Sequence, residues 1–378
     1  MPRDADLGAI VRAVYPRSST PRTLTTQQHK VLRAIAACRT PALGGERQRC
    51  DRCGSEHIQW RSCGNRHCPR CQAAARQKWL AERRSEILPV PYFHVVFTVP
   101  EQLNVIALAS PRIFYDALFR AVSRTLLDLG LSRLRARIGA MMLLHTWAQT
   151  LVLHPHIHCV VPAVGRSIPT GRWLVRGNGR FFLPIAPLAR HFRTLFCNAL
   201  RHAFRSGKLV FPTCPTASAF DTLLARACRT DWVVYCKAPF GGPAQVLAYL
   251  ASYTHRTAIS NRRILGFDGN DVSFLYRDYA RANTIRTMKL GAQEFLRRFL
   301  LHVLPPRLVR IRYAGFLANR TRTTAIDAIR NTIPRPVQLP DLPAPPAPVH
   351  LCPECHEGTM ISVERIEPDP TVRFEDSS

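Results

Sequence analysis

The stretch Leu153-His154-Pro155-His156-Ile157-His158-Cys159-Val160-Val161 constrains the fold more than any other part of the chain. Strand side chains alternate, so His156 and His158 fall on one face while Ile157 and Cys159 turn to the other, into a core. The spacing predicts strands over Leu151 to Val161 and, before it, Ala140 to Gln149. Two neutral imidazoles side by side form a natural grip for a divalent metal. His154 joins that face if the strand stays regular through Pro155, and the preceding strand offers His145 and Gln149 nearby. His156 and His158 are therefore the expected ligands, with Gln149 and His154 as candidates for a third and Gln245 more remote. Two or three neutral ligands plus water suit Mg²⁺ or Mn²⁺. A histidine pair of this kind is more often structural than metal-binding, so its meaning depends on what surrounds it.

The surroundings are unusual. Tyr249 and Tyr253 stand four residues apart in a segment with helical spacing, Pro243 to about Ala258, which places both phenols on one face. Val246, Leu247 and Leu250 supply its buried side. Such tyrosines would ordinarily cover a core. Here a basic run follows (His255, Arg256, Arg262, Arg263) that would hold a nucleic-acid backbone beside the hydroxyls. A phenol with a pKa near 10 is a weak nucleophile at neutral pH, and a metal on the scissile phosphate plus nearby arginines would meet that need.

Two CxxC knuckles, Cys50-Asp51-Arg52-Cys53 and Cys68-Pro69-Arg70-Cys71, are separated by fourteen residues, close to four-cysteine zinc spacing. Together they are expected to close one tetrahedron around a structural zinc, with Cys63 and His67 as surplus ligands. Arg66 and Arg70 stand beside the thiols and would also touch phosphate. A third pair, Cys352 and Cys355, reads as half a site. The remaining cysteines in apolar contexts read as small buried residues.

The formal charge of the 378-residue chain is +28, and arginine dominates the basic set, which favours bidentate phosphate contacts. A polyanionic partner, DNA above all, is expected. No apolar run is long enough to span a bilayer and no secretory signal is evident, so a cytoplasmic protein with reduced thiols is expected. No GxxxxGK[ST] loop is present, and no nucleotide cofactor is expected.

The fold expected from these patterns is α+β, a mainly antiparallel sheet with flanking helices, preceded by a small zinc-binding module. Residues 1–45 read as a basic helical leader (its helix from Thr25 to Cys38), and 46–88 as the zinc module with a linking helix, Gln72 to Ile87. The main domain spans 89–333. Within it, strands are predicted over Tyr92 to Val99 and Trp232 to Lys237. Helices are predicted over Pro111 to Leu129, Leu188 to Phe204 and Gln293 to Val303. A hairpin joins Ile264–Phe267 to Val272–Tyr276 through Asp268-Gly269-Asn270. Residues 334–348 hold seven prolines and read as an extended linker, and 349–378 as a tail.

The blocks HPHIH, YLASY, SCGNRHCPRC (Ser62 to Cys71), HVVFTVPEQL (His94 to Leu103), EFLRRFLLHVLP (Glu294 to Pro305) and IRYAGFL (Ile311 to Leu317) occur together. In that combination the chain resembles the two-tyrosine, rolling-circle insertion-sequence transposases of the HUH endonuclease superfamily, over about Thr25 to Leu317. The resemblance implies a metal-dependent single-strand endonuclease and strand transferase with a 5′-phosphotyrosine intermediate, and a zinc-binding domain that recognises element ends. It carries over His156 and His158 as metal ligands, Tyr249 and Tyr253 as nucleophiles, and Cys50, Cys53, Cys68 and Cys71 as zinc ligands. Rival expectations are a plasmid replication initiator or relaxase with the same chemistry, or a zinc-dependent nucleic-acid-binding regulator without catalysis.

Overall fold

A computed structural model of the chain describes residues 5–15, 24–176 (without the side chains of 73 and 74), 183–209, 211, 216–237, 245–246, 249–250, 253–333 and 351–369. The proline-rich segment 334–348 lies outside the described residues, as do Pro243 and Leu247 of the tyrosine segment.

The strands run β1 (Gly45–Cys50), β2 (Glu56–Trp60), β3 (Tyr92–Thr98), β4 (Ala136–Arg137), β5 (Gly139–Trp147), β6 (Leu153–Pro162) and β7 (Val164–Ser167). They continue as β8 (Trp173–Val175), β9 (Val234–Lys237), β10 (Ile264–Phe267), β11 (Asp271–Asp278), β12 (Thr284–Gly291), β13 (Ile311–Gly315) and β14 (Met360–Ile366). The central sheet has the order β13-β5-β6-β3-β9 with every neighbouring pair antiparallel, as the α+β reading expects.

The two faces of this sheet have different work. Phe93, Val95 and Phe97 of β3, Met142 and Leu144 of β5, and Ile157, Cys159 and Val161 of β6 share the core face. They pack against the helices Pro111–Leu134 and Ile185–Arg205. Phe97, Phe192, Phe196 and Trp232 meet edge to face in that layer. Each such side chain contributes about 1.5–3 kcal/mol by leaving water. The alternate residues, His94, His145, His156 and His158, turn to the opposite face. There the tyrosine segment and the helix Arg322–Thr332 bury Met141, Leu143, Val160, Leu250 and Ile329. An apolar floor thus holds a sheet whose other face carries the histidines beside a second apolar cluster.

A third apolar cluster joins the three-stranded sheet β10-β11-β12 and the helix Ala292–Leu300 to the N-terminal helices Leu7–Val14 and Thr26–Ala37. The leader is therefore packed onto the body. Thr25 caps its second helix through a reciprocal box with Gln28. The hairpin turn forms where Asp268 accepts from the backbone N–H groups of Asn270 and Asp271. Gly315 adopts φ +62°, and a Cβ there would sit 1.9 Å from the Ile138 carbonyl oxygen, so β13 can lie so close to Ile138 only as glycine.

The tail is not a separate segment. Its strand β14 pairs with β1, giving a three-stranded sheet β14-β1-β2 that joins the two ends of the chain. Among the described residues, no helix is long and apolar enough to cross a membrane.

Candidate active site and cysteine clusters

Sheet register builds the histidine centre. β5 and β6 pair His145 with His156 and Leu143 with His158, while β3 sets Val96 opposite His158. One ligand nitrogen from each of His145, His156 and His158 lies within 4.8 Å of the others. Backbone carbonyls orient two of the rings. His156 donates from Nδ1 to the His154 carbonyl (2.6 Å), and His145 donates from Nε2 to the Tyr253 carbonyl (3.1 Å). Nδ1 of His158 faces Nε2 of His94 at 2.9 Å. The nitrogens left for a metal are Nδ1 of His145 and Nε2 of His156 and His158, each ring held from its far side as metal-binding imidazoles usually are.

The imidazole that groups with His156 and His158 is His145, while the expected candidates Gln149 and His154 line the same cleft. The register shifts between His145 and Trp147, and the chain then turns through Leu151 in the left-handed region (φ 64°). That turn carries Gln149 past the end of the strand, where its side chain donates to the Tyr279 hydroxyl (3.3 Å). His154 shares the face but lies one step further out and exposed, with its carbonyl spent on His156. Gln245 is exposed on the tyrosine helix. Burial holds all three central imidazoles below their ordinary 6.5, His156 at about 4 and the other two well down, and neighbouring histidines add to the effect. They are neutral at pH 7, with lone pairs available.

Both phenols converge on this centre. Residues 245, 246, 249, 250 and 253 are helical. The Tyr249 hydroxyl lies 2.6 Å from Nε2 of His94 and 3.1 Å from Nδ1 of His158. The Tyr253 ring stacks on Tyr249 (centroids 4.2 Å apart, 20°) and is 4.9 Å from His158. The two differ in setting. Burial, and then the adjacent Tyr253, push the Tyr249 phenol well above its ordinary 10. Tyr253 instead lines a cleft of about 430 Å³ together with His145, His156, His158 and Arg256. The Arg256 guanidinium lies 5.6 Å from the centre of its ring.

A buried arginine pins this end of the helix. Arg310 donates to the carbonyls of Thr254 (2.6 Å) and Arg256 (2.9 Å), while Thr254 donates to the Leu250 carbonyl (2.7 Å). His94 and Arg310 went unnoticed in the sequence, and His145 was seen only as a neighbour. For His94 a signal existed, since a histidine within the apolar run of β3 needs a partner.

The cysteines form two groups, and the two N-terminal knuckles do not share a tetrahedron. Cys68 and Cys71 join Cys38 and Cys63, with neighbouring sulfurs 3.6 Å apart. Cys50 and Cys53 instead join Cys352 and Cys355. Cys50 sits at the end of β1, whose ladder to β14 directs it toward the tail. Cys38 follows the helix Thr26–Ala37 and carries no CxxC signature. His67 is buried outside both groups.

The arginines divide likewise. Arg66 is spent on the carbonyls of Leu308 (2.6 Å), Pro305 (2.8 Å) and Leu304 (3.4 Å), so it ties the cysteine module to the body instead of meeting DNA. Arg70 binds the Cys38 carbonyl (3.2 Å) and pairs with Asp6. Arg263 serves the carbonyls of Leu275 (2.7 Å) and Gln149, and burial lowers it to about 10. Five fixed donors suit clusters of carbonyls as well as phosphates, which is why these three read as contact residues in the sequence. Arg256 lines the cleft, and Arg262 is exposed.

The chain is similar to known transposases. Residues 10–99 match a transposase zinc-binding domain of IS91 type, and residues 139–324 match the Y2 family described as "Putative transposase". The chain is 43% identical over 381 residues to "Putative transposase y4qJ" of Sinorhizobium fredii, covering 96% of this chain and 95% of that one. It is 29% identical over 299 residues to the transposase for insertion sequence element IS801 of Pseudomonas savastanoi pv. phaseolicola, covering 76% and 69%. The solved conjugative relaxase TrwC in complex with oriT DNA overlaps at 12% identity and a TM-score of 0.22, over 42% of this chain and 68% of that one. With the histidine centre and the tyrosine pair set against these matches, the chain belongs to the IS91-type Y2 transposases.

Proposed function

We propose that this transposase nicks and joins single-stranded DNA by transesterification at Tyr253 and Tyr249, as in rolling-circle transposition. The observation that carries the reading is the convergence of both phenols with His145, His156 and His158 at one cleft. The donor set fits a divalent cation, since three imidazoles made neutral by burial each offer a ligand nitrogen within 4.8 Å of the others. Mn²⁺ or Mg²⁺ is the expected metal. Bound there, it would draw charge from a non-bridging phosphate oxygen as the transition state forms.

The chain's own residues do the rest. Arg256, at the cleft beside the Tyr253 ring, meets the phosphate and stabilises the negative charge that grows on it in the transition state. The Tyr253 oxygen attacks phosphorus in line, the bond from phosphorus to the 3′ oxygen breaks, and a 5′-phosphotyrosine forms. The phenol gives up a proton and the departing 3′ oxygen takes one up, so the exchange needs neither water nor ATP. Tyr249, tied to His94 and His158, remains for a second transfer while the first strand is held.

Incubating the chain with a labelled single-stranded element end and Mn²⁺, then separating under denaturing conditions, tests this reading. A covalent protein–DNA adduct is expected from the wild type and none from H156A. Equal adduct from H156A would refute the histidine centre. DNA binding without any adduct would leave a regulator.

A further inference from the structure

We infer that Cys50, Cys53, Cys352 and Cys355 form a second zinc site, which staples the tail onto the N-terminal module. The four sulfurs lie within 4.8 Å of one another, with Cys50 to Cys355 at 3.7 Å and Cys53 to Cys352 at 3.6 Å. A tetrahedral zinc with bonds near 2.3 Å sets its sulfurs about 3.8 Å apart. All four are free thiols. Neither family match reaches the tail knuckle, since they end at residues 99 and 324.

The backbone around the sulfurs is arranged for thiolates. The N–H groups of Arg52 and Cys53 donate to the Cys50 sulfur at 3.4 Å, and that of Gly358 donates to the Cys355 sulfur at 3.3 Å. Each knuckle thus turns its amides onto its own sulfur. The knuckles also lock to each other. Asp51 donates its N–H to the Thr359 carbonyl (3.1 Å), and its carboxylate accepts from the Thr359 N–H (2.8 Å). A Cβ on Gly358 would fall 2.3 Å from the Cys50 sulfur, so the approach admits only glycine there.

The tail needs such a bond. In β14 the five residues between the half-buried ends Met360 and Ile366 are all exposed, and β2 on the far side of β1 is nearly as open. A strand of this kind gains almost nothing from apolar burial, and ladder hydrogen bonds alone are worth little net. A four-thiolate zinc supplies the missing term. It also closes a loop of some 300 residues, where cross-links constrain the unfolded chain most. The site therefore makes the cysteine module bipartite, built from both ends of the chain.

Cadmium-113 NMR of the full chain tests the site without any variant. Two resonances in the four-thiolate range are expected, one per cysteine group, and the histidine centre lies outside that range. A single such resonance would overturn the inference. In C352S/C355S, bound zinc should fall by one per chain while the Cys38 group keeps its signal, and C63S/C68S should show the reverse. Unchanged zinc in C352S/C355S, or iron in its place in the wild type, would also overturn it. Hydrogen exchange reads the staple itself. Protection of the β14 amides should be lost in C50S/C53S, and retained protection would show that the tail is held by other means.

Discussion

At the scale of single residues, the two tyrosines are chemically distinct. Tyr249 is half-buried, bonded to His94 and His158, with its phenol held in the neutral form, whereas Tyr253 faces the cleft beneath Arg256. Y253F should therefore abolish the first cleavage. Y249F should still form an adduct but fail to complete strand transfer. Gel assays of nicking and joining with each variant read this directly, and loss of the first adduct in Y249F alone would reverse the order. His94 orients His158 from behind, so H94A should raise the Mn²⁺ concentration for half-maximal nicking by about 10- to 100-fold. An unchanged metal dependence would remove it from the site. The all-imidazole donor set also favours Mn²⁺ over Mg²⁺ at equal concentration.

His302 carries a pH prediction. Fully buried between Thr146 and the Leu151 carbonyl, it is held by burial at about 4, below the ordinary 6.5. The unfolded chain then binds a proton between pH 6.5 and 4 that the folded chain refuses. Stability falls as pH drops through that window, by at most about 1.4 kcal/mol per pH unit for one such histidine. Urea unfolding of wild type and H302Q between pH 4 and 6.5 should show a shallower slope in the variant. Equal slopes would mean His302 is protonated in the fold.

At the scale of elements, Arg310 joins β13's approach to the end of the tyrosine helix. R310M should leave the Thr254 and Arg256 carbonyls without their donor and cost about 2–3 kcal/mol, seen as a lower melting temperature. Nicking should fall further than stability explains, because Tyr253 loses its anchor; parallel losses would make Arg310 purely structural. Local signals located most elements well. The strand predicted over Tyr92 to Val99 matches β3, the Asp268-Gly269-Asn270 turn sits where the hairpin folds, and the helix predicted from Pro111 runs on to Leu134. His156 and His158 were legible because they share one strand. His145 was legible only as a neighbour, because its place in the group depends on a register and a bulge that no single strand reveals. Cysteine partnership failed for the same reason. Spacing reports knuckles, but which knuckles meet is decided by β1 pairing with β14 across most of the chain.

At the scale of the molecule, an excess of 28 positive charges surrounds a cleft whose own arginines are few. Arg66 ties the cysteine module to the body, while Arg70 and Arg263 hold backbone carbonyls within the module and within the body, so part of the charge binds the fold together and the rest is left to draw in a polyanion. Affinity for single-stranded DNA should fall linearly on a log–log scale with salt, as counterions compete for the phosphates. Fluorescence anisotropy between 50 and 200 mM salt measures the slope, and a flat response would deny an electrostatic path. The central claim is narrower: two phenols and three imidazoles form one transesterification centre. Peptide mass spectrometry of the adduct formed on an element-end oligonucleotide tests it most directly. A nucleotide 5′-phosphate on Tyr253, moving to neither Ser nor Cys when the tyrosines are intact, is the predicted result. An adduct that persists in Y249F/Y253F, or maps to a residue outside the cleft, would contradict the account.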